Sequence, residues 1–159
     1  MTRRDARRLL DAHDAIWNAW WSTLLELPKA IAHRRAAGSF PSLFATVRHM
    51  VDAEVYWQER LEAGRTFTSV ASCRSMPHLE TSWRALQAHR VGWLAVADLD
   101  GPVTFEAAGG YAARVAAWEC LMHLITHAHF HRGQLVLQCR EVGVRPPSRH
   151  LLGRFFDEF

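Results

Sequence analysis

Apolar residues return every three or four positions along most of this chain, the period of helices that bury one face. From about Asp5 to Leu27 the repeating set is Leu9, Leu10, Ile16, Trp17, Trp20, Trp21, Leu24 and Leu25, and Pro28 predicts the stop. Arg35, Ala36, Ala37 and Gly38 read as a short continuation and then a turn. A second helix is expected to begin within Ser39 to Ser42, with Pro41 in its first turn, and to run to Leu61 or Glu62 before Gly64. Residues 64–76 lack the period and are rich in Ser, Thr and Gly, which predicts a long connection. A third helix starts near Pro77, carries Leu79, Trp83, Leu86, Val91, Trp93 and Leu94, and ends before Asp100-Gly101-Pro102. Residues 103–115 alternate weakly around Gly109-Gly110, a pattern that allows a small β-hairpin. The fourth helix follows from about Arg114 to Glu141, stopped by Gly143 and Pro146-Pro147. A short last helix, His150 to Phe156, would lay Leu151, Leu152, Phe155 and Phe156 over one end of the core.

Four long amphipathic helices predict an all-α four-helix bundle, and 159 residues suit a single domain spanning 1–159 with one sizeable core. Short joins favour antiparallel neighbours, whereas the long 64–76 connection can cross the bundle and leave helices two and three parallel.

Composition narrows the class. Apolar residues make up 49% of the chain, with seven tryptophans and eight phenylalanines, so it can bury a large core, and the tryptophan stripe of the first helix belongs there. Net charge is only +3. Arg3, Arg4, Arg7 and Arg8 are separated from Arg34-Arg35 by a Trp-rich apolar stretch, without the aromatic interleaving of single-strand binders. They read as a solvated helix face, which argues against a nucleic-acid partner. No apolar run approaches a membrane span and no signal-peptide core follows the N-terminal arginines. Cys73, Cys120 and Cys139 form no even disulfide set, so a reducing, cytoplasmic location is expected, with Cys120 a small buried hydrophobe.

The chemistry concentrates in Leu121 to Gln134, which sets His123, His127 and His131 at four-residue steps on one face of the fourth helix and turns His129 away, to solvent or a subunit contact. At about 1.5 Å per residue, His123 and His131 lie roughly 12 Å apart, too far to share an ion whose bonds to nitrogen are about 2 Å. Only one adjacent pair can act together. His127 with His131 is the better one, flanked by Leu124, Ala128 and Leu135 as a buried seam. Ten histidines in 159 residues produce roughly one such spacing by composition alone, so the pair needs a partner from another segment. Gly133 costs up to about 1 kcal/mol in mid-helix relative to alanine, which implies another backbone packed close to it. The second helix offers His49 and, as rival, Glu54. That helix is apolar around much of its circumference, so periodicity leaves open which of them points inward, and an inward carboxylate would need a metal or a basic partner.

His49, Glu54 and Trp57 in the second helix, with HAHFHRGQ ahead of Gly143 and a double proline, resemble the DinB/YfiT-like superfamily of metal-binding four-helix bundles over nearly the whole chain. The resemblance implies an up-down-down-up bundle, commonly a homodimer. It also implies a divalent metal, usually zinc or nickel, held by His49, His127 and His131. His123, Arg132, Gln134 and Glu54 are then candidates for supporting positions. Arg132 would either orient an anionic substrate or form a structural salt bridge, and Gln134 is similarly placed. The chain departs from many relatives at Phe130, where a second adjacent histidine is frequent, and at His150, where an acidic residue is frequent. Three neutral nitrogens leave an ion positively charged with an open position, as in catalytic zinc sites. With relatives that are S-transferases or isomerases using bacillithiol, mycothiol or glutathione, the expectation is a metal-dependent thiol S-transferase or related hydrolase or isomerase acting on a small molecule. Its alternative is a non-catalytic, stress-associated metal-binding protein.

Overall fold

A computed structural model describes residues 1–107 and 109–147. The expected last helix, His150 to Phe156, lies outside the described residues. The elements run α1 (Arg3–Leu24), α2 (Lys29–Ala32), α3 (Leu43–Leu61), α4 (Met76–Val96), β1 (Pro102–Ala107), β2 (Tyr111–Ala116) and α5 (Ala117–Glu141). Four of the helices are long. A small antiparallel hairpin precedes the last.

Local chemistry explains the boundaries. Thr2 and Asp5 cap α1 reciprocally: the Asp5 N–H donates to Thr2 Oγ1 at 3.1 Å and the Thr2 N–H to Asp5 Oδ2 at 3.2 Å. The helix ends at Leu24 rather than Leu27, because the residue before a proline is disfavoured in helical conformation and Pro28 caps the short α2 instead. Pro41 lies before α3, not in its first turn. Its carbonyl closes a loop by accepting the Ala36 N–H at 3.1 Å, while Ser42 caps the helix through the Ala45 N–H at 3.2 Å. Arg114 belongs to β2, so α5 starts at Ala117, with the Glu119 carboxylate reaching back to the Ala116 N–H at 2.7 Å. Gly109 and Gly110, at φ 93° and 80°, supply the left-handed backbone that turns the hairpin.

Side-chain contacts establish the directions. Leu10 near the start of α1 clusters with Leu94 at the end of α4 and Leu121 at the start of α5. The other end of α1, Trp20 to Leu24, meets Leu43 to Val51 of α3 and Leu135 to Cys139 of α5. On α3 and α5, Thr46 bonds Gln138 and Trp57 packs on His123, an antiparallel pair. On α3 and α4, Glu54 meets Trp83 and Glu62 meets His89, a parallel pair. The order is up-down-down-up. The connection between α3 and α4 crosses the bundle and is pinned to the core by fully buried Val70 and Cys73.

The core centres on Trp17, Trp21 and Trp83, whose ring centroids lie 5.1, 5.7 and 6.0 Å apart. Each such side chain removes about 150–250 Å² from water, an upper bound of roughly 4–6 kcal/mol of transfer energy. Val91, expected on the buried face of α4, is exposed, and Arg90 is buried in its place. Gly133 is also unlike the expectation. A Cβ there would meet nothing within 4 Å among the described residues, so none of their backbone outside α5 packs against it.

Candidate metal centre

Two antiparallel helices bring three imidazoles together. His127 and His131, one turn apart on α5, have ring centroids 4.5 Å apart. From α3, His49 places its Nε2 3.2 Å from His127 Nε2 and its ring 4.7 Å from that of His131. One ligand atom from each lies within 4.8 Å of the others. A tetrahedral ion with bonds of about 2.0–2.1 Å holds its nitrogens about 3.3 Å apart, so the His49–His127 separation already matches two ligands of one centre. His131 is buried, and among the described residues nothing hydrogen-bonds its Nδ1, an orphaned polar atom that fits a ligand to an ion.

The rings are neutral. Burial, reinforced by His131, His49 and His123, pushes His127 down to about 4. Burial also lowers His49, with His131 adding to it and Asp52 opposing, and burial lowers His131 against a contrary effect of Gln134. Each therefore presents lone pairs rather than N–H cations at neutral pH, which is what coordination requires. The cluster could hold a metal ion, and an all-nitrogen donor set of this kind suits a first-row transition ion better than magnesium or calcium.

Phe40 covers the cluster, stacking on His49 at 4.3 Å and leaning on His131 at 5.7 Å. Hydrophobic periodicity offered no sign of it, because it sits in the loop before α3. Three α5 side chains hold that loop. Gln134 bonds Ser39 twice, accepting its N–H at 3.3 Å and donating to its Oγ at 3.0 Å. Gln138, fully buried, donates to the carbonyls of Ala37 and Phe40 at 3.1 and 2.9 Å and accepts from Thr46 Oγ1 at 2.9 Å. Glu141 accepts the Ala37 N–H at 2.8 Å. Gly38, at φ 128°, passes close enough to α5 that an added Cβ would lie only 3.3 Å from Gln138 Nε2, a tight contact. The spacing of Gln134, Gln138 and Glu141 on one face of α5 is the signal that could have found this clamp.

The other candidates fall elsewhere. His123 is exposed, its ring 4.7 Å from Trp57 and 5.9 Å from His127, so it flanks the cluster without joining it. His129 is exposed. Arg132 turns into the bundle, where its Nη2 donates to His13 Nδ1 at 3.1 Å; among the described residues it forms no salt bridge. Glu54 points inward but is not part of the three-histidine cluster. Its Oε1 accepts from His13 Nε2 at 2.9 Å and Trp17 Nε1 at 2.6 Å, and its Oε2 from Trp83 Nε1 at 3.2 Å and Arg90 Nη2 at 2.9 Å. Because arginine can only donate, His13 Nδ1 is an acceptor and its proton sits on Nε2, so His13 is neutral; burial lowers its pKa accordingly. Burial alone would raise the Glu54 carboxyl, yet His13 and Arg90 beside it hold it well below the usual carboxylate range. This network ties α1, α3, α4 and α5 together one turn from the cluster, and fixes the rotation of the helices that carry His49 and His131.

Protein DinB of Bacillus subtilis (strain 168) is 21% identical over 143 residues, covering 80% of this chain and 83% of that protein. The model of the DinB family matches residues 6–155, nearly the full length. On that match the chain belongs to the DinB family.

Proposed function

We propose that His49, His127 and His131 hold a divalent transition ion, zinc or nickel, and that the loaded protein is a metal-dependent enzyme of the thiol S-transferase kind, or a related hydrolase or isomerase, working as a homodimer on a small molecule. The observation that carries this reading is the convergence of three neutral imidazoles from two helices, with ligand atoms within 4.8 Å and no carboxylate among them. When bound, a divalent cation supplies Lewis acidity that lowers the pKa of a thiol or water presented to it. The chain's own residues do the rest. The imidazoles remain unprotonated at neutral pH because they are partly buried together. Phe40 excludes water from one side of them, and Gln134 and Gln138 keep Phe40 in place. No described helix is long and apolar enough to cross a membrane, so the site meets substrates from the aqueous phase in this reading.

Metal analysis of protein purified without a histidine tag tests the centre: near-stoichiometric zinc or nickel is expected in the wild type and little in His127→Ala. A conjugation assay pairing several low-molecular-weight thiols with electrophiles tests the activity. Absence of turnover by metal-loaded protein across that panel would favour a non-catalytic metal-binding role instead.

A further inference from the structure

Beside the imidazoles lies a cleft of about 240 Å³ lined by Phe40, Ala45, Arg48, His49, Asp52 and Ala71. Drug-sized pockets begin at about 300 Å³, so this one suits a small molecule or one end of a larger one. Its wall carries two opposite charges. Arg48 is half-buried with its guanidinium 5.8 Å from the Phe44 ring, and Asp52 is exposed one turn further along α3. Among the described residues neither takes part in an ion pair. Arginine preceding aspartate by four residues is the weaker order for a helix pair, since it opposes the macrodipole, which leaves both heads available to a ligand. Ala45 and Ala71 are small enough to leave the space between them open, and Phe40 supplies an apolar wall stacked on His49.

We propose that this cleft is a subsite of the histidine centre that takes the amino-acid-like end of a small thiol, with Arg48 binding its carboxylate and Asp52 its ammonium group. The inference rests on the metal-and-thiol reading above and adds the chemical class of the ligand. A guanidinium presents a planar fork that matches a carboxylate, and a carboxylate accepts from an ammonium, so the two residues together select a zwitterion over either charge alone.

The test uses the full-length protein loaded with cobalt(II), whose thiolate charge-transfer absorption reports binding without turnover. The probes are L-cysteine, 3-mercaptopropionate, which lacks the amine, and cysteamine, which lacks the carboxylate. Wild type is expected to bind L-cysteine most tightly. Arg48→Gln should weaken L-cysteine and 3-mercaptopropionate by about tenfold or more while leaving cysteamine within about twofold, and Asp52→Asn should weaken L-cysteine and cysteamine but spare 3-mercaptopropionate. The thiol each variant still binds is its own control for folding and metal loading. If all three thiols bind and both variants treat them alike, the subsite is wrong and the metal reading stands. If cobalt loads but no thiol produces the band on wild type, the thiol reading fails and the subsite with it.

Discussion

Replacing Glu54 by glutamine changes one atom in a carboxylate that accepts four donors at 2.6–3.2 Å, all from buried side chains. An amide has one oxygen, so two of the donors on His13, Trp17, Trp83 and Arg90 would face an NH₂ group, and the Arg90 guanidinium would lose its counter-charge. Breaking a buried ion pair from one side costs about 3–5 kcal/mol, a large part of the roughly 5–15 kcal/mol that hold a domain together. For a chain of this size that lowers Tm by on the order of 6–20 °C. Urea titration of Glu54→Gln, followed by circular dichroism, measures it. A double variant, Glu54→Leu with Arg90→Met, removes both charges but leaves the N–H groups of His13, Trp17 and Trp83 without an acceptor, so it should recover only part of the loss. A loss below about 1 kcal/mol in the single variant would refute the claim that this carboxylate organises the bundle. The pH dependence has a definite sign. The Glu54 pKa is lower folded than unfolded, so its stabilisation is present above its ordinary 4.5 and is lost as pH falls. His13 is also depressed on folding, so the unfolded chain takes up a proton below 6.5 that the folded chain refuses, again costing stability on acidification. Wild type should therefore weaken progressively below pH 6.5, and Glu54→Gln should lack the steeper part below 4.5.

Three further outcomes are expected. Gly133→Ala should raise stability by up to about 1 kcal/mol, because alanine is the better helix former and the added methyl meets none of the described residues; a lower urea midpoint would contradict this. Gln138→Leu should cost about 1–3 kcal/mol by unpairing the carbonyls of Ala37 and Phe40, and should raise solvent accessibility around His49 in hydrogen exchange; unchanged protection of the loop would argue against the clamp. Metal affinity, followed with a competing chelator, should begin to fall only below pH 6.5 and drop steeply towards 4, since the depressed imidazoles resist protonation; a fall beginning at higher pH would mean that they are not depressed.

Much of this was legible in the chain. The three-to-four spacing of Leu10, Ile16, Trp17, Trp21 and Leu24 needs no partner to announce a buried face, and Gly109-Gly110 between short alternating runs announces a turn. The spacing of His127 and His131 likewise follows from helix geometry alone. Helix α3 resisted because it lies between α4 and α5 and is buried on both sides, so apolar residues surround it and cannot indicate where its polar ones point. His49 faces α5 and Glu54 faces α1 and α4, and both are inward. His13, Gln58 and Arg90 went unread for a related reason. Burying a polar residue makes sense only once its partners arrive, and each of these three has a partner at least 32 residues away, Arg132 lying 119 residues from His13. Phe40 sits in an irregular loop, where no period exists to interpret.

His49 and His127 are 78 residues apart in the chain. At a synthesis rate of about 5–20 residues per second, the nascent chain carries His49 for roughly 4–16 seconds before His127 is even made. Of the three clustered imidazoles the first three long helices carry only that of His49, so α1, α3 and α4 emerge before the cluster can form. Any ion held by all three imidazoles must wait for α5, which brings two of them at once.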